Sequence, residues 1–185
     1  MFGTFIDGLI KQQVSTYINQ KIGGALDLGK TETSGLADQM IGSLLGGLAH
    51  NSKSDTGATS LLNALDKDHD GSILDDLSDI ASMENKGQGI VTHIFGNKKA
   101  KVTALIAEKT GLDTTTIEQL LTGVAPVLMG ALGKKQHEEK LDTKQLTHLL
   151  TEEKNNLDTD SSLSPLLALL DKDGDGDVDL DDLTS

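Results

Sequence analysis

At 185 residues with a formal net charge of −13, the chain is long enough for one domain with a real core, and too acidic to suit nucleic acid or an anionic membrane surface. It has no cysteine, which excludes disulfides, zinc–thiolate sites and a thiol nucleophile. Aromatic residues make up only 2% and Trp is absent, so Leu, Ile, Val, Ala and Met must fill the interior.

The segment Met1–Ile10 lacks the basic start and long apolar run of a secretory signal, which points to a cytoplasmic location. An opening helix is predicted over Phe5–Ile22. Leu36, Met40, Ile41, Leu44, Leu45 and Leu48 then form one helical stripe, with Ser34 as its N-cap. Gly42, Gly46 and Gly47 fall inside this helix and predict close helix packing. Residues 85–112 read as a bridging segment, with a linker at Gly87–Gly89 and a helix over Lys98–Lys109. Ile117, Leu120, Leu121, Val124, Leu128 and Leu132 form a second stripe. Asp113 or Thr115 opens it, Glu118 completes a capping box from Thr115, and Pro126 should kink or split it. Leu146, Leu149 and Leu150 form a third stripe behind Asp142 as cap, with Gln145 three residues on. Ser164-Pro165 caps and starts a short helix at Leu166–Leu170. The longest apolar stretches, Ile41–Ala49 and Val124–Leu132, are about half the ~20 residues that span a bilayer, so no membrane span is expected.

No period-2 strand is evident, and the fold predicted is all-α, a multi-helix bundle built from a duplicated helix-helix-acidic-loop unit. The duplication rests on LLNALDKDHDGS at 61–72 and LLALLDKDGDGD at 166–177. It divides the chain into an N-terminal helix (1–31), a first repeat (32–84), the bridge (85–112) and a second repeat (113–185), together one compact domain.

The two acidic loops carry most of the excess charge, with five Asp over Asp66–Asp76 and seven over Asp171–Asp182. Calcium takes roughly six to eight oxygen ligands, and an EF-hand-type loop supplies them from positions 1, 3, 5, 7, 9 and 12, with Gly at 6 for the sharp turn. In the second loop Asp171, Asp173, Asp175, the Asp177 carbonyl, Asp179 and Asp182 fill those places around Gly176. In the first loop Asp66, Asp68, Asp70 and the Ser72 carbonyl match around Gly71, and closure falls one residue early at Asp76. Such segments also form Asx turns without metal, but seven Asp in twelve residues repel strongly without a counter-cation. Calcium is preferred over magnesium, whose octahedral demands suit a long carbonyl-using loop less well. Ile73 and Val178 occupy the apolar position through which paired loops touch, so the two loops are expected side by side.

The five histidines show no HExxH or other ligand spacing, and His93, between apolar neighbours, reads as a core or boundary residue. Phosphate-binding loops and GxSxG are absent. The chain is therefore read as non-enzymatic. LLGGLAHN, GATSLLNALDKDHDGSILDDL, GQGIVTHIFG and LLTGVAPVLMGALGK, in that order, resemble the YidB-like family of bacterial proteins of unknown function. The resemblance spans roughly residues 34–183 and implies a small all-α bacterial protein with no assigned activity. Asp at position 12 of the second loop is similar to dockerin loops more than to EF-hands. The leading expectation is a calcium-binding helical module with the ion in a structural role. The alternative is a metal-independent protein-interaction module that docks a partner on Gly-rich helical faces.

Overall fold

The structure, a computed structural model, describes residues 8, 10–23, 30–69, 71–74 and 84–158. These residues are helical and turn-forming with no strand among them, which is the all-α architecture expected. Helix α1 (Lys11–Ile18) runs into a wider turn at Asn19–Gly23, and α2 spans Lys30–Asn51. After a tight turn, α3 covers Asp55–Asp68, followed by a single 3-10 turn at Ser72–Leu74. Helices α4 (Glu84–Phe95) and α5 (Lys99–Thr110) follow, separated by a 3-10 turn at Gly96–Lys98. The last two are α6 (Thr114–Glu139) and α7 (Thr143–Asp158).

The central element is α6. It packs on α1, α2, α3, α4 and α5, and its contact with α4 is the most extensive in the fold. Every residue from Gly123 to Gly133 is buried. Its length and apolarity meet the composition of a membrane span, with mean hydropathy 1.2 over an 18-residue window, but 78% of that window is covered by the other helices. Leu and Ile from α2, α3, α5 and α6, with Met40, complete the core. Buried side chains of this size each contribute on the order of 1.5–3 kcal/mol by leaving water.

Local signals fix most boundaries. Asp113 Oδ1 accepts the Thr116 N–H at 2.9 Å and Oδ2 accepts the Thr116 hydroxyl at 2.6 Å, so Asp113 rather than Thr115 caps α6. Those two bonds hold the Asp113 carboxyl below its ordinary value of 3.8. Glu118 is drawn instead to Lys99 of α5, at 3.4 Å. The box expected at α7 forms, with Gln145 N–H donating to Asp142 Oδ1 (2.8 Å) and Asp142 N–H to Gln145 Oε1 (3.0 Å). Helix α2 starts before Ser34, at Lys30, so Ser34 is inside it rather than its cap. The Thr33 hydroxyl donates to Asn19 Oδ1 at 3.0 Å, a tertiary anchor that holds the polar stretch in helix. An ion pair of 2.7 Å joins Lys11 to the buried Asp38 between α1 and α2.

Pro126 does not split α6, which runs through it. A proline removes the donor that would reach the carbonyl four residues earlier, here that of Thr122. Gly87 of α4 lies against that same carbonyl, so close that a Cβ on it would overlap the oxygen. A Cα–H directed at a carbonyl freed in this way is a weak but favourable contact. Gly87–Gly89 is therefore not a linker but part of α4, with Gly87 set against α6.

The described residues do not show the duplicated unit. The two long helices, α2 and α6, are each followed by a short turn and a second helix. In the first half that second helix carries LLNALDKD, whereas in the second half α7 is interposed and LLALLDKD lies outside the described residues.

Candidate functional site

Two features are candidates, the first acidic loop and a groove beside it. The loop opens within the last turn of α3, which ends at Asp68, the loop's third position. Gly71, at position six, has φ +92°, a left-handed conformation that glycine adopts without penalty. Its carbonyl accepts the Leu74 N–H at 3.0 Å, closing the turn. The loop is docked on α6 through glycines on both sides. A Cβ on Gly130 would overlap Ile73 Cγ2, one on Gly133 would overlap the His69 carbonyl, and one on Gly71 would come within 2.7 Å of Lys134 Cβ.

The expected ligands divide sharply. Asp66 and Ser72 are described and both are exposed; Asp68 is described in its backbone alone. Asp70 and Asp76 lie outside the described residues, as do Asp171, Asp173, Asp175, Asp177, Asp179 and Asp182 of the second loop. Among the described residues, no three His, Asp or Glu side chains converge as a metal site requires. Of the pair expected to meet between loops, Ile73 packs on Gly130 and Val178 lies outside the described residues. The Ser164–Leu170 helix start also lies outside them.

The groove, of about 720 Å³, runs between α3 and α4. Each wall is one helical stripe: Gly57, Ser60, Leu61 and Ala64 on α3, and Lys86, Gly89, Ile90 and His93 on α4. Leu48 of α2 and Met129 of α6, each nearly fully buried, form its floor. Asn51 closes one end and donates from Nδ2 to the Ile94 carbonyl at 3.0 Å, tying α2 to the end of α4. Ser54 stands beside it and caps α3 by accepting the Gly57 N–H at 3.0 Å. His69 of the acidic loop also reaches the groove.

Sequence reasoning missed this groove because Gly87–Gly89 read as a linker, which left α4 without a face. The i, i+3, i+4, i+7 spacing of small and apolar residues on both segments was the available signal. His93, read as a core or boundary residue, is exposed on the groove wall, since its helix turns Val91 and Ile94 inward instead.

Comparison with known proteins supplies the family. The chain belongs to DUF937, a family of bacterial proteins of unknown function, whose family model matches residues 8–135. The matched span contains the first acidic loop and every described residue lining the groove, and it stops before α7 and the second loop. No curated protein and no solved structure matches the chain.

Proposed function

We propose that this protein is a non-enzymatic helical module that binds a divalent cation, calcium before magnesium, with the ion in a structural role. The observation that carries the reading is the backbone of the first loop. Its entering helix ends at position three, its position-six glycine is left-handed, and its position-eight residue, Ile73, packs inward on α6. The left-handed glycine at position six is the sharp turn that an EF-hand-type loop requires. The ligand set of the second loop, read from sequence, supplies the fuller carboxylate complement. The finer likenesses, to YidB-like proteins and to dockerin-type loops, belong to this same proposal.

An ion held in the first loop would pin the end of α3 to α6. Melting the chelated protein with and without millimolar calcium tests this. Calcium is expected to raise the Tm, by mass action on the folded state, and magnesium to raise it less. Asp171→Ala with Asp175→Ala should remove most of the rise, and Asp66→Ala with Asp68→Ala the remainder. An unchanged melt in calcium would overturn the proposal.

The alternative, partner docking on Gly-rich helical faces, would have to use glycines such as Gly35, Gly46 and Gly89, where an added Cβ meets nothing within 4 Å. Gly47, Gly87, Gly123, Gly130 and Gly133 all meet neighbouring parts of the same chain.

A further inference from the structure

We propose that the groove between α3 and α4 binds a free long-chain fatty acid, with the acyl chain along the groove and the carboxylate at Lys86. This goes beyond the ion reading and does not depend on it.

The first argument is shape. A volume of about 720 Å³ falls within the roughly 300–1,000 Å³ of small-ligand sites. The groove reaches the centre of the bundle at Leu48 and Met129, only 3% and 4% exposed, so it is a cleft rather than a flat face. Its walls are helices of 14 and 12 residues. A stable protein interface needs about 800 Å² per partner, which suits a broad face better than a cleft between two short helices. Elsewhere this core closes tightly enough for glycines to meet carbonyls, so an apolar cleft of this size marks a place for something else to fill.

The second argument is charge. Among the described residues, no Asp or Glu lines the groove. Its charged lining residue is Lys86, exposed at the rim one helical turn from Gly89 and on the same face as His93. An apolar floor under a cationic rim selects an apolar chain with an anionic head. A carboxylate at Lys86 gains a charge-assisted hydrogen bond.

Gly89 supplies the test. It is exposed on the groove wall, and a Cβ there meets nothing within 4 Å, so a larger side chain can be added there without displacing backbone. The full chain would be titrated calorimetrically, in chelator and below micelle concentrations, with laurate, myristate, palmitate and hexadecanol. Saturable binding of one palmitate is expected, with affinity rising about fourfold per methylene while chain is still being buried. Gly89→Trp should weaken palmitate at least about tenfold with an unchanged far-UV spectrum and a melt no lower than the parent's. Lys86→Gln should weaken palmitate about tenfold and leave hexadecanol unchanged. Absence of saturable binding, indifference to Gly89→Trp in a folded variant, or equal loss of hexadecanol in Lys86→Gln overturns the proposal. So does an amphipathic helical peptide that occupies the groove while palmitate does not.

Discussion

Two glycines on α4, two residues apart, should respond to the same substitution with opposite signs. Replacing glycine by alanine in a helix interior gains about 1 kcal/mol of intrinsic propensity at either position. At Gly89 nothing stands within 4 Å of the added methyl, so the gain is realised and Gly89→Ala stabilises by about 0.5–1 kcal/mol. At Gly87 the methyl would overlap the Thr122 carbonyl oxygen and come within 2.8 Å of its carbon and 3.1 Å of Thr122 Cγ2. The obstacle is backbone in the central helix, so α4 must move away from α6 along the largest contact in the fold. Overpacking of this kind costs about 1–3 kcal/mol and more where backbone is involved, which leaves Gly87→Ala destabilised by about 1–2 kcal/mol net. For a chain of this size 1 kcal/mol moves Tm by about 2–4 °C. Melts followed at 222 nm should therefore separate the two variants by roughly 4–10 °C, Gly89→Ala above the parent and Gly87→Ala below. If both variants rise together, the close approach of α4 to the Thr122 carbonyl is wrong.

Two further predictions concern charge. The bonds from Thr116 depress the Asp113 carboxyl, so its contribution is complete above 3.8 and is lost as the pH falls through the lower folded value. Asp113→Ala should accordingly melt lower than the parent at neutral pH, with the gap closing below pH 3.8; a gap that persists unchanged at pH 2 would refute the cap. Removing Lys11 takes the 2.7 Å ion pair away from the Asp38 carboxylate, which is 6% exposed. Lys11→Met should cost about 2 kcal/mol in urea unfolding, whereas a loss under about 0.5 kcal/mol would make the pair an ordinary surface bridge.

What was legible in the sequence was periodic and local. The leucine stripes of α2, α6 and α7 announce buried helix faces, and the Asp142/Gln145 box and the Asp113 cap use side chains within four residues of the helix start. What stayed hidden depended on distant partners. Helix α4 contains two glycines in its first half, which local propensity reads as a break, and only the carbonyl exposed by Pro126 explains why one belongs there. Helix α2 extends earlier than its apolar stripe because Thr33 is held by Asn19. The ligand order of the acidic loops could be read from composition and spacing. The docking of the first loop on Gly130 and Gly133 could not, since nothing in DxDxDG specifies which helix receives it. The groove required both walls to be recognised as helices, and one was read as a linker.

Tyr17 is the one tyrosine in a chain without tryptophan. Its ring lies against Gly123, where any Cβ would overlap it, and its hydroxyl donates to the Gln119 carbonyl at 3.3 Å. The spectroscopy of the protein is thereby reduced almost to a single chromophore at the junction of α1 and α6. Tyrosine emission and near-ultraviolet dichroism report whether the first helix is docked, while far-ultraviolet dichroism reports the helices as a whole. Superimposable melts from the two signals mean that the N-terminal helix joins the bundle in one cooperative step. An earlier loss of the tyrosine signal would measure the free energy of undocking α1 directly, with no label and no substitution.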